Sequence, residues 1–588
     1  MKIIGIDLGT TTSEMAYIKD GKPEIICNSH GARVTPSVIG ITDDGEYIVG
    51  EYAKRQLALK PEKTAAEVKA LMGTDEKVFL GEKEYLPQQI SAILLKQLKA
   101  FAEKYLQEKV LEAVITVPAN FNSLQRQATK EAGELAGFKV DRIINEPTAA
   151  AMAYGLDNLE NDEKVLVYDL GGGTFDVTVL ELFSGILDVK SSRGQNKLGG
   201  KDFDKKICDY IVEDFEKSYN IDLSKSVSAM ARIKEAAEKA KIELSKLEVT
   251  EINLPFIAID NNQNPIGISF ILTRNKMEEL IMDLVASTEN TINDALEGAD
   301  YTDDDIDIVL VVGGSSKVPC VRKLLQNRFG DKVKFEINPD EAVALGAAVQ
   351  AGIKMNEISS EDSLIVTDNC QYTLGMSVIE YGAYGRAFHG VFDPLIKRDT
   401  KIPCTVKKNY YTTYDYQTEV TIDVYEGISK TVAENIHVGS VILDGIPSSL
   451  SGKEPIEVTF SYNLNGILEV VGKVLSTGKY VTATFDLKGL DNSLVNLSGI
   501  IIQDNPENLL DVVNEDKQGL DSWKSSELSL EVKLTIELAE KKLQLLDDDD
   551  KIDIGIVLNK LKQAVIDGDR ALVEEYDKKL TDMLFELD

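Results

Sequence analysis

Val165-Leu166-Val167-Tyr168-Asp169-Leu170-Gly171-Gly172-Gly173-Thr174-Phe175-Asp176-Val177-Thr178-Val179-Leu180 is the stretch around which the chain is organised. β-Branched and aliphatic residues run into Asp169, turn residues follow, and alternation resumes at Val177 and Val179, which predicts strand, tight turn, strand. Consecutive glycines reach backbone angles closed to other residues and let a ligand approach the main chain. Amide N–H groups clustered in such a turn form an anion-binding concavity, which favours phosphate.

The stretch has a partner. Ile3-Ile4-Gly5-Ile6-Asp7-Leu8-Gly9-Thr10-Thr11-Thr12 repeats the design, with Asp7 matching Asp169, Leu8 matching Leu170, Gly9 matching Gly171 and Thr12 matching Thr174. Two such hairpins predict a duplicated domain closing on a ligand from two sides, each side supplying a phosphate loop and a carboxylate. Carboxylates beside phosphates need a cation between them, and Mg²⁺, which prefers oxygen ligands and keeps several waters, is the expected one. A third glycine turn, Gly313-Gly314-Ser315-Ser316, follows the buried-type strand 306–312 and precedes a helix near Val318, giving another place for the ligand.

With 588 residues the chain predicts several domains. Its composition, 43% hydrophobic and 28% charged, is that of a soluble globular protein. No apolar run approaches the ~20 residues of a membrane helix, and Met1-Lys2-Ile3-Ile4-Gly5 enters a strand directly. A cytoplasmic protein with no membrane partner is expected. The net charge of −34 argues against nucleic acid and makes basic partners more plausible. Cys27, Cys208, Cys320, Cys370 and Cys404 are widely spaced, so reduced and mostly buried cysteines are expected.

Along the chain, a helix is predicted from Gln88 to Leu106, a strand from Val110 to Val117 ending at Pro118, and a helix over 125–136 stopped by Gly137. Helical patterns fill 205–248, and alternation of strand and helix ends near Met355. Residues 359–368 read as a linker or an edge strand. From about Thr373 to Leu487 short alternating strands and turns such as Asn465-Gly466 predict a separate all-β domain. Residues 489–588 carry 24 acidic against 11 basic side chains, with helical patterns at 528–546 and 554–584 separated by four aspartates.

These motifs resemble the actin-like ATPase superfamily and, more narrowly, the DnaK-type heat-shock chaperones. The likeness is carried by Asp7 to Thr11, Ile115-Thr116-Val117-Pro118-Ala119, Asn145-Glu146-Pro147-Thr148-Ala149-Ala150-Ala151, Asp169 to Asp176, Gly199-Gly200-Lys201-Asp202-Phe203-Asp204, Val312 to Ser316 and Asn338-Pro339-Asp340-Glu341-Ala342. Thr367-Asp368-Asn369-Cys370 and Phe392-Asp393-Pro394-Leu395-Ile396 look closest to the HscC-type branch. The resemblance implies an α/β actin-like ATPase domain of duplicated ribonuclease-H-like lobes (1–357), a linker (358–368), an all-β sandwich peptide-binding domain (369–488) and a short acidic, mainly helical lid-like region (489–588). The tail after Asp486 departs from the standard lid.

The same resemblance implies ATP/ADP with Mg²⁺, and K⁺ as a further ion. Thr10, Thr11 and Gly171 to Gly173 hold phosphates together with Gly9, Gly199 and Gly200. Asp7 and Asp169 hold Mg²⁺ mostly through water, Lys69 lies by the γ-phosphate, Glu146 and Asp176 orient water, and Thr174 offers a hydroxyl. Glu238, Lys241 and Ser245, spaced three and four apart on one helix face, cradle adenosine with Gly313, Gly314, Ser315, Lys317 and Asp340. Lys317 stands where relatives often have arginine, so it stacks more weakly.

The resemblance further implies that coupling falls to Pro118 and Arg126, with Arg142 and Asp368 meeting a J-domain cochaperone. Leu374, Met376, Ile379, Tyr410, Thr413, Val420 and Ile422 align with a peptide channel, although alternating apolar residues of a β sandwich also suit its core. The implied partners are unfolded or extended client peptides, the J-domain protein and a nucleotide exchange factor. The expected function is ATP-driven cycling of client binding. A sugar or acetate kinase and an actin-like filament protein are the alternatives.

Overall fold

In the computed structural model the described residues are 2–259, 264–335, 338–358, 364–382, 386–485 and 502–503, with single residues between 557 and 580. Residues 1–504 form one compact unit and residues 505–588 another. The four-aspartate run and the predicted helix over 528–546 lie outside the described residues. So does most of the 554–584 pattern, of which Val557, Leu558, Lys560, Leu561, Leu572, Val573, Tyr576, Lys579 and Leu580 are helical.

Two sheets in the first unit share one plan. The first orders Lys139–Asn145, Val110–Val117, Lys2–Leu8, Thr12–Lys19 and Lys22–Ile25. The second orders Val333–Lys334, Ile308–Val312, Glu163–Leu170, Phe175–Phe183 and Ile186–Gln195. In each, parallel strands flank the first arm of the hairpin and antiparallel strands follow its second arm. The two quoted stretches therefore occupy the same central position in two copies of one design.

Between the sheets lies a core whose helices, Glu146–Leu156 and Ala342–Met355, present Ala149, Ala150, Ala151, Ala344, Ala347 and Ala348. Small side chains let backbones approach. A Cβ on Gly346 would stand 1.6 Å from the Ala149 carbonyl oxygen, so glycine is the residue that fits. The outer face of the first sheet packs on helices Pro87–Leu106 and Ser123–Leu135. Asn122 caps the second of these, accepting from the Gln125 amide while Gln125 Oε1 accepts from the Asn122 amide. The outer face of the second sheet packs on helices Gly200–Tyr219, Val227–Leu244 and Arg274–Gly298. Residues 260–263, between the paired strands Val249–Ile259 and Pro265–Thr273, lie outside the described residues.

The second sheet does not stop at its fifth strand. Ile365–Asn369 pairs in parallel with Ile186–Gln195, and Lys401–Ile402 then pairs with Asp368 and Asn369. Of the stretch read as a linker or an edge strand, residues 365–368 belong to the sixth strand of this sheet, with Lys401–Ile402 outside it, and residues 359–363 lie outside the described residues. Beyond it, two four-stranded antiparallel sheets enclose a common core that includes Leu374, Val424, Phe460 and Val470. Ile502–Gln503 joins Tyr47–Val49 in parallel. Among the described residues the five cysteines are free, with Cys27 and Cys404 half-buried, and no helix is long and apolar enough to cross a membrane.

Candidate nucleotide site

The two hairpin turns meet. A Cβ on Gly172 would come within 2.5 Å of Thr11 Oγ1, so this glycine lets the second turn close on the first. The turns are held from behind: Ser37 donates to the Gly9 carbonyl at 2.8 Å, the Gly171 amide donates to Thr174 O at 3.0 Å, and Ser315 Oγ donates to the Gly171 carbonyl at 2.8 Å. The Gly200 and Lys201 amides donate to Gly171 and Gly172 carbonyls, which brings the Gly199-Gly200 turn against the same loop. Thr10, Thr11, Gly171, Gly172, Gly173, Gly199, Gly200 and Ser315 thus share one cleft. Gly313 closes it with φ +81° and pairs its amide with the Pro339 carbonyl, so a side chain there would be strained.

Acidic groups dominate this cleft. Asp7 accepts from Thr116 Oγ1 at 2.8 Å, and Asp176 accepts from the Ala119 amide at 3.1 Å. Lys69, itself buried, forms an ion pair with Glu146. Burial, then the charge of Glu146, pushes the Asp7 carboxyl up to about 7, with Lys69 and Thr116 opposing. Asp176 is likewise pushed to about 7 by burial and Glu146. Asp169 lies well above the ordinary range through burial and its neighbours Glu146, Asp176 and Asp7. Four carboxylates face one ammonium. Such a donor set, all hard oxygen, suits a divalent cation with its waters.

The far side of the cleft gathers the other predicted residues. Lys241 pairs with Asp204 at 2.8 Å and donates to the Gly200 carbonyl at 3.0 Å, and Ser245 Oγ donates to the Lys241 carbonyl at 2.8 Å. Glu238 pairs with Lys54 at 3.0 Å across the cleft, and Glu67 pairs with Lys234 nearby. Lys317 pairs with Asp340, beside Gly314. Lys54, Glu67 and Lys234 were not singled out from the sequence, because each reads as an ordinary charge, and Asp204 was legible as part of a motif but carried no role of its own.

The coupling candidates form a chain of hydrogen bonds. Arg126, 4% exposed, donates to the Phe121 and Ala119 carbonyls at 2.9 Å each and to Asn145 Oδ1 at 2.7 Å. Asn145 Nδ2 in turn donates to Asp368 Oδ2 at 2.8 Å. Burial raises the Asp368 carboxyl, while the Asn369 amide, Arg126 and Arg142 draw it down. Arg142 donates to the Leu464 carbonyl at 2.6 Å, and Asn465 exchanges hydrogen bonds with the Ile143 amide and the Asp141 carbonyl. Pro118 is buried at the strand end that leads into this group. Asn145 was legible as part of a motif but carried no role until its two partners came together.

The seven channel candidates divide. Leu374, Met376 and Ile422 are core side chains, whereas Ile379, Tyr410, Thr413 and Val420 are half-exposed. Tyr410 donates its hydroxyl to Asp393 at 2.7 Å, and Tyr411, Tyr414 and Tyr416 stand in solvent.

The Hsp70 protein family matches residues 3–80 and 74–587. The DnaK chaperone proteins of Thermotoga petrophila and Thermotoga maritima are each 48% identical to the chain over 479 residues, covering 81% of this chain and 79% of theirs. The DnaK chaperone of Thermotoga neapolitana matches to the same extent. A mixed α/β nucleotide-binding region followed by a β-rich region agrees with that likeness. The chain belongs to the Hsp70/DnaK family and is an ATP-binding, ATP-hydrolysing chaperone that assists protein folding.

Proposed function

We propose that hydrolysis occurs between the two hairpins and that its outcome reaches the β-rich region through Asn145. The single observation that carries this reading is continuity: Glu146 faces Lys69 in the cleft, while its neighbour Asn145 joins Arg126 to Asp368. Phosphoryl transfer to water calls for positioning and charge neutralisation more than covalent chemistry. The amides of the glycine turns with Thr10 and Thr11 bind the phosphates, and Lys69 offsets the charge that develops on the γ-phosphoryl oxygens. Glu146 and Asp176 orient the attacking water, and Thr174 offers its hydroxyl. Asp7 and Asp169 would hold Mg²⁺ mostly through its waters, and the bound ion would supply the remaining positive charge. K⁺ has the same oxygen-rich surroundings. Glu238, Lys241, Ser245, Gly313, Gly314, Ser315, Lys317 and Asp340 receive adenosine.

The proposed domains are 1–357, 358–368, 369–488 and 489–588, with a cytoplasmic location. ATP favours the arrangement in which strand 365–369 joins the ATPase sheet, speeding exchange of extended clients, and hydrolysis releases it. A J-domain protein meets Arg142 and Asp368, and an exchange factor frees ADP. Thr367 to Cys370 and Phe392 to Ile396 support placement in the HscC-type branch. The family match, continuing to residue 587, sets aside the kinase and filament alternatives. Lys69→Ala is expected to retain ATP while single-turnover hydrolysis falls about 100-fold; near-normal turnover would remove Lys69 from the site.

A further inference from the structure

Glu14 holds the place in the first hairpin that Asp176 holds in the central one. Asp169 pairs across the strands with Asp176, and Asp7 pairs across the strands with Glu14. Directly opposed residues point to the same face of a sheet. Glu14 is 4% exposed, and its Oε2 has no hydrogen-bond partner among the described residues.

The charges nearest to Glu14 offer it no dedicated counter-ion. They are Asp7, Asp340, Glu341, Lys317 and Arg33. Lys317 is paired with Asp340, and Glu341 is paired with Arg33 at 2.6 Å. A second buried carboxylate beside Asp7 is therefore costly in the empty protein, and the cost is relieved when a cation enters. No described cluster of three ligands is placed to grip an ion directly. An acid placed opposite Asp7 would act through the ion's waters, several of which Mg²⁺ keeps.

We propose that Glu14 is a third carboxylate of the cation site, accepting hydrogen bonds from the water shell of the divalent ion that Asp7 and Asp169 hold. The proposal rests on the metal assignment of those two aspartates. It completes the symmetry of the two hairpins: each contributes one strand-end aspartate and one acid directly opposite it.

The test uses Mn²⁺ and ADP with the full chain. Free Mn²⁺ is counted by electron paramagnetic resonance during titration of wild type, Glu14→Gln, Glu14→Leu and Asp7→Asn. Glutamine copies a protonated, purely structural glutamate, so a structural role predicts no change. The expected result is Mn²⁺ affinity about tenfold weaker in both Glu14 variants, unchanged ADP affinity in EDTA, and a higher melting temperature than wild type for the metal-free Glu14→Gln protein. Mn²⁺ affinity within twofold of wild type in either folded Glu14 variant, with Asp7→Asn impaired, overturns the role of Glu14 alone. Unimpaired binding in Asp7→Asn overturns the metal assignment beneath it.

Discussion

The two sheets of the ATPase region carry the same hairpin but end differently. The first finishes at Lys22–Ile25, whereas the second continues through Ile365–Asn369 to Lys401–Ile402 and so into the β-rich region. Duplication supplies two equivalent hairpins, and the β-rich region meets the two halves differently, extending the sheet of the second through Ile365–Asn369 and hydrogen-bonding to the first at Arg142 and Ile143. The hairpin is common to both copies; the added strand belongs to one.

The equivalence can be broken first at the strand-end acids. Asp7→Asn and Asp169→Asn are each expected to lower single-turnover ATP hydrolysis by about 100-fold with the fold retained; circular dichroism and phosphate release measure both. A loss confined to one variant would show that the hairpins are not functionally matched.

The asymmetry is tested next at Asn145. Asn145→Ala removes both the Arg126 and the Asp368 hydrogen bonds, one of them to a buried carboxylate, at a cost of ~1.5–3 kcal/mol. Basal hydrolysis should persist while ATP-accelerated release of a fluorescent peptide falls about tenfold. Retained acceleration would send the signal by another path.

A smaller effect is expected from Glu426, where the β-rich region rests on the helix Ser123–Leu135. Its carboxyl is buried, and it faces the Ser123 amide, Arg126, Cys370, Tyr372 and Tyr462. Burial pushes it from 4.5 to about 7, against the pull of Ser123 and Arg126. The docked form therefore holds the proton more tightly than a solvated, undocked form. Between pH 4.5 and 7 a rise in pH ionises the undocked form first and weakens docking, and above about 7 the loss is complete. Protease cleavage of strand 365–369 should rise severalfold over that interval, and Glu426→Gln should flatten the curve.

The smallest effect belongs to the charge pair spanning the cleft mouth. Lys54→Ala removes its partner from Glu238, and since both side chains are about a third exposed the loss should be at most ~1 kcal/mol. Stopped-flow release of labelled ADP should quicken about twofold or less, and less still at high salt.

The hairpins, their acids and the passage from an α/β region to a β-rich one were legible because each is a local pattern, as with a strand, a glycine turn and a strand within sixteen residues. Residues that act through distant partners were not. Asn145 reaches Asp368 across 223 positions, and Lys54 reaches Glu238 across 184. Nothing within a window of either sequence segment records such a meeting. Alternation in the β-rich region also left core and channel unresolved, since both bury every second side chain; the structure puts Leu374, Met376 and Ile422 in the core. Glu14 was hidden by its surroundings, a lone acid in an apolar strand, until register placed it opposite Asp7.

The two alanine-faced helices between the sheets touch main chain to main chain, with Gly346 seated on the Ala149 carbonyl. Alanine and glycine have no rotamers to exchange, so where they face each other the fit is set by backbone against backbone. A single methyl group at Gly346 would stand in the Ala149 carbonyl and wedge this seam apart.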